Sequence, residues 1–306
     1  MKKKRLGTSD LFISEMGLGC MSLGTDVAKG IRIIHEAIQL GINFFDTADL
    51  YDYGLNEEIV GKAIKGCRDQ VIIATKVGNR WKEDRTGWFW DPSPDYIKKE
   101  VKESLRRLET DYIDLYQLHG GTIDDPIDDI IDAFENLKKE GLIRYYGISS
   151  IRPNVIYEYV KKSNIVSVMM QYSLLDRRPE ELFSLLSENN ISVIARGPLA
   201  KGLLTEKMKE KASIHVKQNG YLDYSYEEII SLHEKMKSIT VSQQKINSLA
   251  LRYPLYNERV ATIIPGASNI EQLRENVEAL NIPITNEQYE KLQSITKPSK
   301  YREHRI

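Results

Sequence analysis

Cysteine is scarce in this sequence, and long apolar segments are missing. Cys20 and Cys67 are the only cysteines in 306 residues, and their spacing matches no zinc site, so we predict no metal site. Two free thiols are typical of a reducing compartment. No segment approaches the ~18 consecutive apolar residues of a membrane helix, and no apolar signal-peptide segment follows the basic residues 2–5. We therefore expect a cytoplasmic protein with no membrane partner.

An excess of charge of either sign is also missing. Lysine and arginine number 43 against 44 aspartates and glutamates, which gives a net charge of −1. Such a chain has no strong field that would attract nucleic acid, so we expect a small-molecule substrate and no nucleic acid partner. The oligomeric state stays open. Residues 1–306 contain no linker-like or low-complexity segment, and we interpret them as one domain.

Short apolar segments alternate with longer amphipathic ones along the chain. Residues 4–6 and 11–14 flank the turn-forming residues 7–10, which predicts an N-terminal β-hairpin. Beyond it, strand–helix alternation predicts parallel strands joined by right-handed crossovers. Eight such units in 306 residues are typical of the α/β fold class known as the (β/α)8 TIM barrel. The predicted strands are 16–20, 42–45, 71–75, 113–118, 143–148, 166–171, 191–196 and 260–264; the predicted helices are 27–40, 57–65, 94–108, 127–139, 154–162, 179–188, 226–238, 241–253, 270–280 and 286–295, with an irregular segment at 202–224.

A polar residue directly follows several of these strands. Asp46 and Lys76 come after the second and third barrel strands. His119 and Ser149 follow the fourth and fifth, and Tyr51 lies in the loop after Asp46. Because the carboxyl ends of barrel strands share one end of the barrel, we expect these side chains to face a common cavity.

Several motifs surround these residues in a fixed order. They are residues 45–51 (Phe-Asp-Thr-Ala-Asp-Leu-Tyr), 56–61 (Asn-Glu-Glu-Ile-Val-Gly), 74–76 (Ala-Thr-Lys), 112–119 (Tyr-Ile-Asp-Leu-Tyr-Gln-Leu-His), 143–149 (Ile-Arg-Tyr-Tyr-Gly-Ile-Ser) and 264–268 (Ile-Pro-Gly-Ala-Ser). With these motifs the chain resembles the aldo-keto reductase family, in particular its prokaryotic branch, from the hairpin to the last helix. The resemblance implies NADPH-dependent reduction of aldehydes or ketones to alcohols. The family's catalytic Asp, Tyr, Lys and His fall on Asp46, Tyr51, Lys76 and His119.

The chemistry of these four side chains agrees with that assignment. Tyrosine is a weak acid with an ordinary pKa of ~10. A lysine ammonium ~4 Å away stabilises a phenolate by ~4 kcal/mol at an effective dielectric constant of ~20. We therefore expect Lys76 to make Tyr51 a usable general acid, Asp46 to keep Lys76 protonated, and His119 to orient the carbonyl of the substrate.

The resemblance also implies a nicotinamide dinucleotide bound across the same end of the barrel, with NADPH favoured and NADH as the alternative. Three positions depart from the family pattern: Ser150 stands for an Asn, Met169 for a Gln, and Arg196 for a Tyr that stacks on the nicotinamide. Gln171 lies on the same strand face as Met169 and is a possible substitute. The expected cofactor-binding residues are Ser149, Gln171 and Arg196 at the nicotinamide; Gly197, Pro198, Leu199, Lys201 and Gly202 at the pyrophosphate; and Gly266, Ser268, Gln272, Glu275 and Asn276 at the adenosine.

All three tryptophans occur in the loop after the third barrel strand. We predict that Trp81, Trp88 and Trp90 line the substrate pocket, because surface loops concentrate aromatic residues mainly at binding sites. The alternative is a small packed cluster. The segment 202–224 and the tail 297–305 are further candidates to cover the cofactor.

Three other functions remain open. A Rossmann dehydrogenase would use Gly17 and Gly19, but Ser22 stands where its third glycine is required. A Schiff-base aldolase would use Lys76 as nucleophile, which requires a lysine of lowered pKa. The third alternative is a redox regulator that binds the nucleotide without significant turnover.

Overall fold

A ring of parallel strands forms the centre of the computed structural model, which describes residues 1–241 and 243–305. Within these residues, eight parallel strands pair in the order 260–264, 192–196, 167–171, 143–149, 113–118, 72–77, 44–46, 18–19. Parallel bridges from Met16 to Ile263 and from Gly19 to Gly266 join the two edges of the sheet, so the predicted TIM barrel is confirmed. The strands are β1 (Lys3–Arg5), β2 (Phe12–Ser14), β3 (Leu18–Gly19), β4 (Phe44–Asp46), β5 (Ile72–Val77), β6 (Asn79–Trp81), β7 (Trp88–Trp90), β8 (Ile113–Leu118), β9 (Ile143–Ser149), β10 (Ser167–Gln171), β11 (Ser192–Arg196) and β12 (Val260–Ile264).

Helices cover the outside of the ring. Their amphipathic spacing produces this arrangement, since α1 buries Ile33, Ile34 and Ala37 on one face. No helix in the described part of the chain is long and apolar enough to span a membrane. The α-helices are α1 (Val27–Gln39), α2 (Leu55–Ile64), α3 (Pro94–Leu108), α4 (Ile127–Lys139), α5 (Pro153–Lys162), α6 (Phe183–Glu188), α7 (Met208–Lys211), α8 (Ile214–Asn219), α9 (Tyr226–Ile239), α10 (Ile246–Tyr256), α11 (Ile270–Leu280) and α12 (Asn286–Ile295).

Several segments differ from the prediction. The strand β3 is shorter than the predicted 16–20, and α6 begins at Phe183 and not at residue 179. The loop that carries the tryptophans contains the antiparallel pair β6–β7. The segment 202–224 contains the short helices α7 and α8. The helix predicted at 241–253 begins at Ile246 and continues through Pro254 to Tyr256. Ser242, in that predicted helix, lies outside the described residues.

The N-terminal hairpin β1–β2 lies at the amino-terminal end of the barrel and was correctly predicted. Leu6, Leu11 and Ile13 of this hairpin are buried. They pack with Phe44 and Leu115 from the interior of the barrel. The hairpin therefore closes one end of the barrel, and the opposite end stays available for a ligand.

Candidate active site

A cavity of about 1580 Å³ lies at the carboxyl ends of the barrel strands. It brings together all four residues of the predicted tetrad. It also brings together every residue predicted to bind the cofactor. Its wall includes Asp46, Tyr51, Lys76, His119, Ser149, Gln171, Arg196, Gly197, Pro198, Leu199, Lys201, Gly202, Gly266, Ser268, Gln272, Glu275 and Asn276.

The ammonium of Lys76 is the centre of the tetrad. Its Nζ donates hydrogen bonds to Asp46 Oδ2 at 2.8 Å and to the Thr47 carbonyl oxygen at 2.6 Å, and lies 3.4 Å from the Tyr51 hydroxyl. Lys76 is 1% exposed and Asp46 is 3% exposed. Burial alone would lower the pKa of Lys76, but Asp46 and Tyr51 outweigh it and hold that pKa above the ordinary lysine value. Lys76 is therefore a fixed positive charge beside the phenol.

A tight turn presents Tyr51 to the cavity. The turn Tyr51–Gly54 contains Asp52 and Tyr53 in the left-handed region, at φ 49° and 54°. Before it, Asp49 Oδ1 accepts a hydrogen bond from the Leu50 amide at 2.6 Å. This side-chain contact and the turn fix the path of the backbone on both sides of the phenol.

A buried ionic cluster supports this turn from behind. Arg107 Nε donates to Glu57 Oε2 at 2.6 Å, and its Nη2 bonds Glu100. Asp49 lies next to this cluster, and burial together with Glu57 and Glu100 raises the pKa of Asp49 well above its ordinary value. Tyr96 donates a hydrogen bond to Asp49 Oδ2 at 3.3 Å. The loop that carries Tyr51 is thus attached to α2 and α3.

His119 faces Tyr51 across the same part of the cavity. The two rings meet edge to face, with their centroids 6.0 Å apart. Burial, assisted by Lys76 and Arg196, lowers the pKa of His119 to about 3. The ring is therefore neutral near pH 7. Among the described residues its buried Nδ1 has no hydrogen-bond partner, and Nε2 is the nitrogen left for a ligand.

The three tryptophans do not share one location. Trp88 and Trp90 line the cavity, and Trp88 is 55% exposed. Trp81 lies away from the cavity wall formed by the described residues: its ring contacts Tyr53 and the Arg107 guanidinium. In the antiparallel pair Trp81 lies opposite Trp88, and Asn79 lies opposite Trp90. Trp81 thus supports the turn that carries Tyr51.

Comparison with known proteins decides the family. The profile described as aldo/keto reductase family matches residues 15–297. The chain belongs to this family. It is 61% identical over 306 residues to the "Uncharacterized oxidoreductase YqkF" of Bacillus subtilis, with all of both chains covered. It is 34% identical to the "NADH-specific methylglyoxal reductase" of Escherichia coli, over 94% of this chain and 95% of that protein. The holo form of the aldo-keto reductase AKR11C1 from Bacillus halodurans matches with a TM-score of 0.94 and 57% identity, over 100% of both chains.

Aldo/keto reductases use nicotinamide cofactors, and the cavity of this reductase fits such a molecule. At the end of β11, Gly197 has a φ of 65°. Ala200 and Lys201, at φ 46° and 58°, continue this left-handed backbone, which is the type of conformation that points amides at an anion. The buried Asn247 Oδ1 lines the same cavity and has no hydrogen-bond partner among the described residues. A cofactor hydroxyl or amino group would satisfy that oxygen.

Two of the positions that depart from the family pattern, Met169 and Arg196, have defined contacts in this reductase. Met169 is 1% exposed and packs into the barrel core. Gln171 receives a hydrogen bond from Arg196 at 3.2 Å and donates to Asp176 and Tyr221 at 3.0 and 3.1 Å. Both ends of the Gln171 amide are therefore engaged within the protein, and Gln171 positions Arg196 at the cavity wall.

The adenosine part of the cavity lies around the start of α11. Asn269 caps this helix by accepting from the Gln272 amide at 2.7 Å. Gln272 Oε1 accepts from the amide and the hydroxyl of Ser268 at 3.0 and 3.3 Å. A Cβ on Gly266 would lie 2.8 Å from Ser22 Oγ, so Ser22 would have to shift. Gly266 is exposed, and without a Cβ its backbone can be approached closely by a ligand.

Sequence reasoning missed part of the wall of this reductase. Arg152, Lys245 and Met21 line the cavity, although no motif or strand end pointed to them. The tail, one of the segments proposed as a cover, contributes residues from Ser299 to His304. Its attachment is visible, because the Asn154 amide donates to the His304 carbonyl oxygen at 2.9 Å.

Proposed function

We propose that this aldo/keto reductase reduces aldehydes or ketones to alcohols with NADPH, and that residues 1–306 act as one oxidoreductase domain. The observation that carries the proposal is the buried Lys76 ammonium, bonded to Asp46 at 2.8 Å and 3.4 Å from the Tyr51 hydroxyl. A permanent positive charge at that distance would stabilise the negative charge that develops on the phenol oxygen as its proton is transferred.

Tyr51 is the proton donor in this proposal. Its O–H transfers the proton to the carbonyl oxygen of the substrate. A reduced nicotinamide, when bound, would supply the hydride for the carbonyl carbon. The negative charge left on Tyr51 is stabilised by Lys76, whose own charge is balanced by Asp46. The proton and the hydride together convert the carbonyl into the alcohol.

His119 orients the substrate. Since the pKa of His119 is about 3, its imidazole is neutral and can donate one hydrogen bond from Nε2 to the carbonyl oxygen. That oxygen then lies between a phenol and an imidazole, which are the two groups the edge-to-face arrangement brings together. This fixed position supplies the alignment that hydride transfer needs.

In this proposal, three groups of residues in the cavity wall hold the cofactor. Ser149 and Arg196 lie at the nicotinamide end, residues 197–202 at the pyrophosphate and Ser268 at the adenosine. The exposed Ser268 hydroxyl favours a 2′-phosphate partner, and hence NADPH. Two glutamates in the wall near it, Glu271 and Glu275, would instead repel that phosphate. NADH is therefore the alternative, and a relative named as an NADH-specific reductase supports it.

The aldolase alternative is disfavoured by the surroundings of Lys76. A Schiff-base lysine must lose its proton to attack a carbonyl. Asp46 and Tyr51 hold the pKa of Lys76 above its ordinary value. The Lys76 amine is thus kept as an ammonium, which suits a charge that stabilises Tyr51 and not a nucleophile.

A substrate panel tests the proposed function. The loss of nicotinamide absorbance is followed with NADPH and with NADH, using methylglyoxal, para-nitrobenzaldehyde and simple ketones, while cofactor affinity is titrated by intrinsic fluorescence. We expect turnover of aldehydes, with NADPH bound more tightly than NADH. Tight cofactor binding with no turnover of any carbonyl would instead support a nucleotide-binding regulator. Borohydride trapping of a substrate on Lys76 would support the aldolase.

A further inference from the structure

Arg152 lies beside the loop that carries His119. Its Nη1 donates a hydrogen bond to the Gly121 carbonyl oxygen at 2.5 Å, and Gly121 is two residues after His119. Arg152 is partly buried and lines the cavity. The guanidinium is therefore held close to the residue that orients the carbonyl of the substrate.

This guanidinium has no carboxylate partner among the described residues. The cavity wall contains other arginines, and two of them, Arg178 and Arg302, each form a salt bridge with an aspartate. Arg196 bonds Gln171 at the end of the cavity assigned to the nicotinamide. Arg152 has five N–H groups, and the Gly121 carbonyl engages one nitrogen. A partly buried charge is costly unless a partner of opposite charge satisfies it.

An aromatic ring, that of Trp90, packs against the same loop. The ring of Trp90 packs against Gly120, where a Cβ would lie 3.2 Å from the ring. Trp90 Nε1 donates to Asp125 at 2.9 Å, which fixes the indole. A flat apolar ring and a guanidinium therefore contact two consecutive residues of this loop, Gly120 and Gly121. This combination fits a substrate with an apolar body and an anionic end.

We propose that Arg152 binds a carboxylate on the substrate, so that the preferred substrates are aldehydes or ketones that carry a carboxylate. This inference rests on the proposed carbonyl reduction and specifies its substrate class. The planar guanidinium offers two parallel N–H groups to a carboxylate. Because Arg152 contacts the end of the substrate remote from the reacting carbonyl, it acts on binding and selects the substrate.

Matched substrate pairs test the inference. kcat/KM is measured for para-formylbenzoate against para-formylbenzamide, and for succinic semialdehyde against its amide. Each pair has nearly the same shape and differs in charge. We expect at least one pair to favour the carboxylate by about tenfold or more, the range of a charge-assisted hydrogen bond. The preference should appear in KM and decrease at high salt.

Arginine variants assign the preference to this residue. In Arg152→Gln the carboxylate-to-amide ratio should fall to about one, whereas Arg152→Lys should retain part of it. Arg302→Gln, which removes a salt-bridged arginine of the same cavity, should keep a ratio close to that of the wild type. The ratio is the quantity compared, so a general loss of activity in a variant does not affect the result.

The outcomes separate this inference from the proposed function. Turnover of the amides with no preference for either carboxylate would overturn the inference and leave carbonyl reduction intact. An unchanged ratio in Arg152→Gln would also overturn it. No turnover of any aldehyde with NADPH or NADH would remove the proposed function, and this inference with it. An independent check is the affinity of the cofactor-bound enzyme for benzoate and benzamide, followed by tryptophan fluorescence; equal affinities would contradict a carboxylate site.

Discussion

Lys76 carries a positive charge in a position that solvent does not reach. The charge is tolerated because Asp46 and the Thr47 carbonyl oxygen accept its hydrogen bonds at 2.8 and 2.6 Å. Removal of either member of such a buried pair leaves the other charge uncompensated, which is far more destabilising than the loss of a surface pair. Lys76 and Asp46 are therefore stable in the interior only as a pair. The positive charge of this pair lies beside Tyr51.

The lowered pKa of His119 predicts a pH dependence of stability. The pKa falls from 6.5 to about 3 on folding, so the unfolded chain takes up a proton that the folded chain does not. The contribution of His119 is fully present above pH 6.5 and is lost as the pH falls toward 3. Between about pH 7.5 and about pH 5 we expect it to lower the free energy of unfolding by up to about 2 kcal/mol.

Urea unfolding at these two pH values checks the prediction. His119→Gln should lose that part of the pH dependence. His215→Gln, which replaces an exposed histidine, should behave like the wild type. Equal pH dependence in all three proteins would mean that His119 is not kept neutral by its surroundings.

The site residues that directly follow a barrel strand could be predicted from the sequence. The ends of parallel strands meet at one end of a barrel, so Asp46, Lys76 and His119 followed from strand boundaries alone. Arg152 precedes α5 and follows no strand directly, and its contact with Gly121 exists only in the folded chain. Trp81 was assigned to the pocket, but its contacts with Tyr53 and Arg107, which are distant in sequence, exist only in the folded chain.

Among the helices, α2 and α3 pack unusually closely at Gly61. A Cβ at this position would lie 2.7 Å from the Arg107 and Leu108 carbonyl oxygens. We predict that Gly61→Ala lowers the free energy of unfolding by about 1–3 kcal/mol, although alanine is the better helix former by about 1 kcal/mol. The insertion would push against the backbone of Arg107, which bonds Glu57 behind the Tyr51 turn.

Denaturant unfolding measures this effect. Lys62→Ala is the matched control, because Lys62 is the exposed neighbour on the same helix. Its effect should stay within about 0.5 kcal/mol. If Gly61→Ala is as stable as Lys62→Ala, the close approach of the two helices is not a constraint.

Some elements were predicted with their boundaries, and others were not predicted at all. The helix α3 begins at Pro94 after the capping Ser93, whose side chain accepts from the Tyr96 amide at 3.3 Å; both signals are visible in the sequence. By contrast, α7 has 4 residues, too few for a helical period to appear. The helix predicted to end at residue 253 continues through Pro254 to Tyr256.

In the whole molecule, the packed hairpin and the proposed active site lie at opposite ends of the barrel. The hairpin β1–β2 closes one end with Leu6, which is fully buried, and the cavity occupies the other end. We predict that Leu6→Ala lowers the free energy of unfolding by about 2–5 kcal/mol. Because the proposed cofactor-binding residues line the cavity at the opposite end, the dissociation constant of NADPH should stay within about twofold, or about 0.4 kcal/mol.

The hairpin supplies its own control. Phe12 is 55% exposed, so Phe12→Ala should change stability by less than about 1 kcal/mol. A large change in NADPH affinity in Leu6→Ala at temperatures where the protein remains folded would show that the two ends of the barrel are coupled.

The overall architecture was more fully predictable from the sequence than the single elements or residues were. The succession of strand–helix units predicted a closed parallel barrel, because every amphipathic helix needs a sheet face to cover. The closure itself depends on few contacts: the Gly17 amide donates to the Ile263 carbonyl oxygen at 2.9 Å, and β3 has 2 residues. Such a short strand gives almost no pattern, and its bounds were predicted too long.

The central claim is that Tyr51 donates the proton to the substrate carbonyl under the influence of Lys76. The most direct measurement compares Tyr51→Phe with the wild type, using one aldehyde at saturating NADPH and the dissociation constant of NADPH determined separately. We predict that kcat falls by at least about a hundredfold, while the NADPH affinity stays nearly the same because the phenol lies on the substrate side. A Tyr51→Phe variant that retains more than about half of the wild-type kcat would contradict the account, because general acid catalysis contributes far more than about twofold.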